Sequence, residues 1–329
     1  MSPPLAIPLF VVSLAVTLLA ARLFARRLDR LGVRLGFPEA LIGLLTALAA
    51  DGPEISSALF ALVKGANDVG VGVIVGSNTF NLAAMLGVSG ILAGSVWVSR
   101  PVLALEGTTA VAITLIAVAV LFGWVAPVFA VVLAACVLVP YVTFLLRARR
   151  SASVPPPSAP AQRRGGIAAY IERVRRPSAE DPTHHLLALI VIDVALIVAA
   201  SAGMVQAVLS LGEHWHVSRA ALGVLVLAPL TSIPNALTGV RLGIARRSTA
   251  LVGEAFNSNT INLAAGVVVP SLVVTFGALT ATAETQLLWL VAMTAIALFM
   301  LARPRGVSRP QAWLLIALYG GFVATQLLS

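Results

Sequence analysis

Long runs of Leu, Val, Ile, Ala and Phe alternate along the chain with short polar or basic breaks. Each run is close to the roughly 20 residues that a helix needs to cross a bilayer. Ten spans are predicted, with boundaries good to a few residues. The first five cover about 4–22, 38–63, 70–95, 102–122 and 126–146. The second five cover about 185–210, 219–243, 249–275, 284–302 and 311–328. A polar stretch, 147–184, separates the two groups. The first run has no basic segment before it, and its arginines follow it. It is therefore read as a retained span and not as a signal peptide. The expected fold class is an all-α polytopic membrane protein.

Composition agrees. Of 329 residues, 59% are hydrophobic and 11% charged, with a mean hydropathy of +0.98. Soluble domains carry about 25% charged residues, so a soluble globular domain is excluded, and disorder more firmly. A net charge of +9 in a soluble chain would point to nucleic acid. Here the basic residues fall between the spans, and all but Lys64 and Arg219 lie on one side of the ten-span layout. That asymmetry predicts a cytoplasmic central loop and both termini outside, in an inner (cell) membrane. No nucleic-acid partner is expected. Lys64 is the only lysine, which is read as the mark of a GC-rich bacterial genome. Cys136 is the only cysteine, so no internal disulfide is possible. Trp97, Trp124, Trp215 and Trp313 stand near expected span ends, as interfacial anchors do. In the central stretch Pro155–Pro157 and Pro160 read as a linker. Residues Gly166–Arg176 read as a solvated basic loop, with an amphipathic helix on the inner leaflet as the other reading.

The two groups of five are related by an internal repeat. Residues 77–84 read Ser-Asn-Thr-Phe-Asn-Leu-Ala-Ala and residues 258–265 read Ser-Asn-Thr-Ile-Asn-Leu-Ala-Ala. The offset of 181 also places Pro53 on Pro234, Gly72 on Gly253, Glu54 on Asn235 and Asp51 on Ser232. Five spans per half is an odd number, so the halves would insert with opposite orientation. The domain expectation is a first five-helix repeat over 1–146, a basic loop over 147–184 and a second five-helix repeat over 185–329. Inverted repeats of this kind place a binding site at the bilayer midplane between the halves.

Both halves break helix rules in the same places. Pro53 and Pro234 fall mid-span, where proline removes a backbone hydrogen bond. A Ser-Asn-Thr-x-Asn cluster interrupts the next span in each half, and polar atoms facing lipid would cost several kcal/mol each. Asp51 and Glu54 lie in the second span with no Lys or Arg at that depth to pair with them. Intramembrane carboxylates cost about 3 to above 10 kcal/mol, so a bound cation or proton is the expected partner. Oxygen donors of this sort suit hard cations. The candidate ion ligands are Asp51, Glu54, Ser77, Asn78, Asn81, Thr231, Ser232, Asn235, Ser258, Asn259 and Asn262. Asp51 and Glu54 are the candidate metal ligands, for Ca2+ or Na+. Each Ser or Asn could instead hydrogen-bond helix to helix. Asn257 is a further polar residue where the first half has Gly76. Glu106 and Asp193 are intramembrane carboxylates outside the repeated motif, read either as parts of a proton path or gate or as locally hydrogen-bonded groups. Asp68 and Glu254 are expected at interfaces, and His214 and His216 in a solvated outer loop. Gly52, Gly70, Gly72, Gly76 and Gly253 read as packing and bending positions.

These motifs resemble the α-repeats of the sodium/calcium exchanger superfamily, the cation/calcium antiporters. One signature stands as Gly76-Ser77-Asn78-Thr79-Phe80-Asn81, repeated as Asn257-Ser258-Asn259-Thr260-Ile261-Asn262. The other stands as Asp51-Gly52-Pro53-Glu54 and as Thr231-Ser232-Ile233-Pro234-Asn235. The resemblance spans both halves, with α1 and α2 motifs at about 38–95 and 219–275. It implies a gradient-driven antiporter without cofactor, in which one carboxylate per repeat binds calcium between flanking sodium or proton sites. It also implies spans 1 and 6 sliding across a site formed by spans 2, 3, 7 and 8. By position, Glu54 matches the first carboxylate, and Ser77, Asn81, Thr231, Ser232, Ser258 and Asn262 match further site positions. Three residues depart from the pattern. Asn235 replaces the second glutamate, Ala50 a threonine and Asp51 a serine, so both charges sit on span 2.

The expected function is secondary-active antiport of Ca2+ or another divalent cation against Na+ or H+ by alternating access. The alternative is a monovalent cation/proton exchanger on the same fold, motivated by Asn235 and Ala50. No P-loop, dinucleotide fingerprint or HExxH occurs, so an enzyme is not expected. An intramembrane hydrolase would want two aspartates, for which Glu54 is a poor substitute. A passive channel would show no coupled flux. Oligomeric state is not legible.

Overall fold

The computed structural model describes residues 1–37, 39–150 and 183–328. The helices are α1 (Pro3–Arg34), α2 (Glu39–Ala50), α3 (Gly52–Val63), α4 (Asn67–Ala93), α5 (Arg100–Leu121) and α6 (Pro127–Arg150). They continue as α7 (Thr183–Trp215), α8 (Arg219–Thr231), α9 (Ile233–Ile244), α10 (Ser248–Leu263), α11 (Ala281–Leu301) and α12 (Arg309–Leu328). The 181-residue offset of the short identical motif recurs in the element starts. Gly52 and Ile233 open α3 and α9, Asn67 and Ser248 open α4 and α10, and Arg100 and Ala281 open α5 and α11. A π-helical turn follows the polar cluster in each half, at Leu82–Val88 and Ala264–Val268.

Seven of these helices are long and apolar enough to cross a membrane, and α8–α9 passes as one span bent by 49°. The second and eighth expected spans are not single helices of that length. In the second, α2 ends at Ala50 and α3 begins at Gly52. In the eighth, α10 is 16 residues long and gives way to the π turn and then to a 3-10 turn, Pro270–Leu272.

Pro234 lies inside the bent α8–α9 span, as expected, and both prolines stand just after a break. Asp51 and Ser232 are the linking residues, with nearly the same backbone angles (φ −79°, ψ −5° and φ −82°, ψ 0°). Pro53 and Pro234 therefore stand in the first turn of a new helix, where a missing N–H costs nothing. The carbonyls four residues earlier, on Ala49 and Leu230, lose their usual helical donor.

α4 forms the centre. Its apolar stretch is 89% buried, against 28% in each of α1 and α7. Two glycines permit the close crossing of α4 and α8. A Cβ on Gly76 would lie 2.7 Å from the Cβ of Ala228, and one on Gly223 would lie 2.6 Å from the backbone oxygen of Val69. At the margin, α1 and α7 lie side by side, with Val11, Val12, Leu19, Val191, Ile192 and Val198 exposed on the outer surface. Such a surface suits lipid. All four expected anchor tryptophans are exposed near helix ends.

The first span is longer than hydropathy indicated. α1 continues to Arg34, so Arg22, Arg26, Arg27, Arg30 and Arg34 are carried on the helix and not on a loop. Helix hydrogen bonding continues past the apolar stretch because Leu, Arg and Ala are good helix formers. The expected proline linker and the basic segment Gly166–Arg176 lie outside the described residues.

Candidate functional site

The eleven candidate ligands are all buried, none more than 4% exposed. They come from the α2–α3 break, α3, α4, α8, the α8–α9 break, α9 and α10. Six are joined directly. The Asn235 amide nitrogen lies 2.7 Å from Asp51 Oδ1 and 3.0 Å from Glu54 Oε1. Ser258 donates its hydroxyl to Asp51 Oδ1 at 2.6 Å, and Ser232 donates to Glu54 Oε1 at 3.0 Å. Asn81 donates to Ser258 Oγ at 3.0 Å. Asn235 Nδ2 has two hydrogens, so its 3.2 Å approach to Ser258 Oγ is a contact and not a third bond.

A second group fastens the two repeats together. Asn78 donates to the backbone oxygen of Asn259 at 3.0 Å, and Asn259 donates to that of Asn78 at 3.1 Å. Asn262 donates to Asn78 Oδ1 at 3.2 Å. Ser77 and Thr231 turn their hydroxyls back onto their own helices, to the oxygens of Val73 and Leu227 at 2.7 and 2.9 Å. Their oxygen lone pairs stay available to accept or coordinate.

The chemical character of the centre lies in what is left over. Asp51 Oδ2, Glu54 Oε2, Asn81 Oδ1, Asn235 Oδ1, Asn259 Oδ1 and Asn262 Oδ1 are buried without a hydrogen-bond donor. All six are oxygens; no nitrogen of these residues is left without a partner. An unsatisfied buried polar group costs about 1–3 kcal/mol, and more when charged. Among the described residues the ion pairs are Arg27–Asp193 and Arg219–Glu213, and neither touches this centre. Carboxylate and amide oxygens without protein donors are the ligand type that hard cations take.

The carboxylates outside the motif have separate surroundings. Asp193 on α7 is ion-paired with Arg27 on α1, which also donates to the backbone oxygen of Leu189 at 3.3 Å. Sequence reasoning missed this pair because Arg27 falls beyond the apolar run. Glu106 on α5 meets the Tyr141 hydroxyl at 2.8 Å, and the same hydroxyl lies 2.5 Å from Asn257 Oδ1. Tyr141 gave no sequence signal, as a single aromatic within an apolar helix. Glu254 was expected at an interface. It lies half-buried in the second turn of α10, one turn before Ser258. Asp68 is half-buried in the first turn of α4. His214 and His216 are exposed, and no group of three or more His, Cys, Asp or Glu able to hold a metal occurs among the described residues.

Comparison with known proteins points the same way. The model of a family described as sodium/calcium exchanger protein matches residues 5–148 and 185–328, leaving out the central stretch. Over 87 residues the chain is 36% identical to a putative antiporter, CaxA, of Alkalimonas amylolytica. That match covers 26% of this chain and only 27% of the relative's length. The sodium-calcium exchanger NCX_Mj, in a crystal soaked with Na+ and Sr2+, superposes with a TM-score of 0.63. The superposition covers 98% of this chain and 99% of that one, at 17% identity. Native YfkE superposes with a TM-score of 0.67 over 97% of this chain and 92% of its own, at 15% identity. At those identities the likeness is one of fold.

Proposed function

The chain belongs to the sodium/calcium exchanger protein family, and on that premise we propose that it is a secondary-active cation antiporter. It moves Ca2+ or another divalent cation against Na+ or H+ by alternating access. The observation that carries this reading is the set of six buried oxygens without donors, two of them on carboxylates with no basic partner. A divalent cation held by Asp51 and Glu54 would neutralise the two carboxylates together. Ser232 and Ser258 bring hydroxyls to the same two carboxylates, Ser77 and Thr231 are proposed as further hydroxyl ligands, and Asn78 and Asn259 tie the two repeats together.

The architecture we propose is ten crossings in two inverted five-helix repeats, with both termini outside and the central loop in the cytoplasm. The recurrence of element starts at one offset supports the repeat. An odd number of crossings per half then gives the inversion, and the basic residues give the orientation. The paired breaks at Asp51 and Ser232 stand where such transporters place discontinuous helices around a midplane ion.

Asn235 favours a second reading, monovalent cation/proton exchange. Its amide sits between the two carboxylates and supplies each with one N–H. With that partial neutralisation, a proton or a single sodium ion could complete the balance. Proteoliposomes loaded with calcium and given an inward sodium or proton gradient separate the readings. Calcium efflux driven by either gradient supports divalent antiport and identifies the coupling ion. Sodium/proton exchange that proceeds without calcium, and no calcium movement, overturns it in favour of the second reading.

A further inference from the structure

Glu106, Tyr141 and Asn257 form a closed polar cluster from three helices, α5, α6 and α10, apart from the central oxygens. Glu106 is 7% exposed and Tyr141 5%. The positions 181 residues from Glu106 and Tyr141 are Leu287 and Phe322, both buried and apolar, and the counterpart of Asn257 is Gly76. The same places in the repeat pattern are therefore polar in one half and apolar in the other. Helix packing does not require the polar set, since the other half packs without it.

Proton counting shows what the cluster can do. Three oxygens stand in a row, Glu106 Oε2, Tyr141 Oη and Asn257 Oδ1, at 2.8 and 2.5 Å. Two hydrogen bonds need two protons, and the phenol supplies one. With Asn257 Oδ1 toward the phenol and the phenol proton given to it, the second proton must sit on the Glu106 carboxyl, which then donates to Tyr141. Remove that proton and rotate the Asn257 amide by half a turn, and a second complete arrangement results. Asn257 Nδ2 then donates to Tyr141, and Tyr141 donates to the Glu106 carboxylate. The cluster thus has two satisfied states that differ by one proton.

Among the described residues, the helix stretches packed around the cluster carry no base or cation to replace that proton. α11 faces the Glu106 turn with Leu298 against Gly107, and it carries no ionisable side chain between Glu284 and Arg303. α6 offers Tyr141, and then no charge before Arg147. α10 offers Glu254, beside Gly253, as its one acidic residue. On α5 the nearest charge is Arg100, six residues and more than one turn away.

We infer that Glu106 is a proton-binding site, second to the central one, whose occupancy is passed through Tyr141 to Asn257 and so to α10. Asn257 precedes Ser258, whose hydroxyl is bonded to Asp51. The amide that reads Glu106 and the hydroxyl that holds Asp51 are thus on adjacent residues of one helix. Tyr141 and Asn257 are positioning residues, and the ligand is the proton. The effect on transport rests on the antiport reading above; proton binding by Glu106 does not.

The test is infrared difference spectroscopy on the full-length protein in lipid between about pH 5 and 8, with calcium flux recorded over the same range. The wild type should show a protonated carboxyl band that disappears as pH rises and is missing in E106Q. In Y141F the band should persist at higher frequency, because its hydrogen-bond acceptor has gone. The pH at half-maximal flux should move by about one unit or more in Y141F. The inference is overturned if the band is the same in E106Q, if Y141F leaves its frequency unchanged, or if it answers to sodium and not to pH. Failure of calcium flux in the wild type, with the band behaving as described, would count against the antiport reading alone. Y141F keeps the carboxyl, so the test survives if E106Q does not fold.

Discussion

Asn78 and Asn259 stand 181 residues apart, and each gives its side-chain amide to the other's backbone carbonyl, at 3.0 and 3.1 Å. The exchange is reciprocal, as the proposed inverted repeat would have it. It ties α4 to α10 where the two polar clusters meet. Asn78 carries one bond more than its partner, because its Oδ1 also accepts from Asn262.

That asymmetry gives a stability prediction. Asn259→Ala removes one donor and leaves the Asn78 carbonyl without it. Asn78→Ala does the equivalent and also strips Asn262 of its acceptor. Both should lower the thermal midpoint of the purified protein, with Asn78→Ala the worse by about 1 kcal/mol, the net worth of a hydrogen bond. Equal losses, or a larger loss in Asn259→Ala, would contradict the assignment.

The two carboxylates trade stability against function. Asp51→Asn and Glu54→Gln each remove a charge whose second oxygen has no donor. In cation-free buffer each variant should melt higher than the wild type, because an uncompensated buried charge is relieved. Added calcium should raise the wild-type midpoint and leave the variants nearly unmoved, since only a ligand that binds the folded state stabilises it. A calcium-dependent shift retained in both variants would remove these residues from the site.

Charge placement can be tested by moving it. Asn235→Glu alone puts a third carboxylate beside Asp51 and Glu54, and should hold a divalent ion more tightly and release it more slowly. Asp51→Ser with Asn235→Glu restores two charges, one from each repeat. Calcium flux should fall in the single variant and recover in the double. Ion preference and rate unchanged across the series would show that the amide between the carboxylates sets neither.

The Arg27–Asp193 pair joins α1 to α7, and Asp193 is 1% exposed while Arg27 is 20% exposed. Arg27→Ala would strand a buried carboxylate, at a cost of about 3–5 kcal/mol. Asp193→Ala should cost less, because the longer arginine reaches toward the surface. Arg27→Leu with Asp193→Leu should be milder than Arg27→Ala alone. Thermal unfolding in lipid discs measures all three, and a milder effect for Arg27→Ala than for Asp193→Ala would contradict this account.

Much of this centre was legible because its residues break rules for membrane helices. Pro53, Pro234, the two Ser-Asn-Thr-x-Asn clusters and the Asp51–Glu54 pair are costly anywhere but in a polar interior, and the structure buries the candidate ligands and hydrogen-bonds nine of them into two groups. Their detailed bonding was not legible. Hydropathy treats Ser77 and Ser258 alike, yet one hydroxyl turns back to Val73 and the other reaches Asp51. Nor could it show that each proline stands second in a helix that follows a break two residues earlier. Partnerships between distant helices escaped for a different reason. Arg27 lies beyond the apolar run of α1, and Tyr141 lies within one, so neither stood out until α1 met α7 and α5 met α6.

Equilibrium binding of radioactive calcium to the purified full-length protein tests the central claim most directly. The account predicts one saturable site per chain in the wild type. It predicts that affinity falls by roughly tenfold or more, the equivalent of about 1.4 kcal/mol, in both Asp51→Asn and Glu54→Gln. Wild-type affinity in either variant, or no saturable binding of calcium by the wild type, would contradict it.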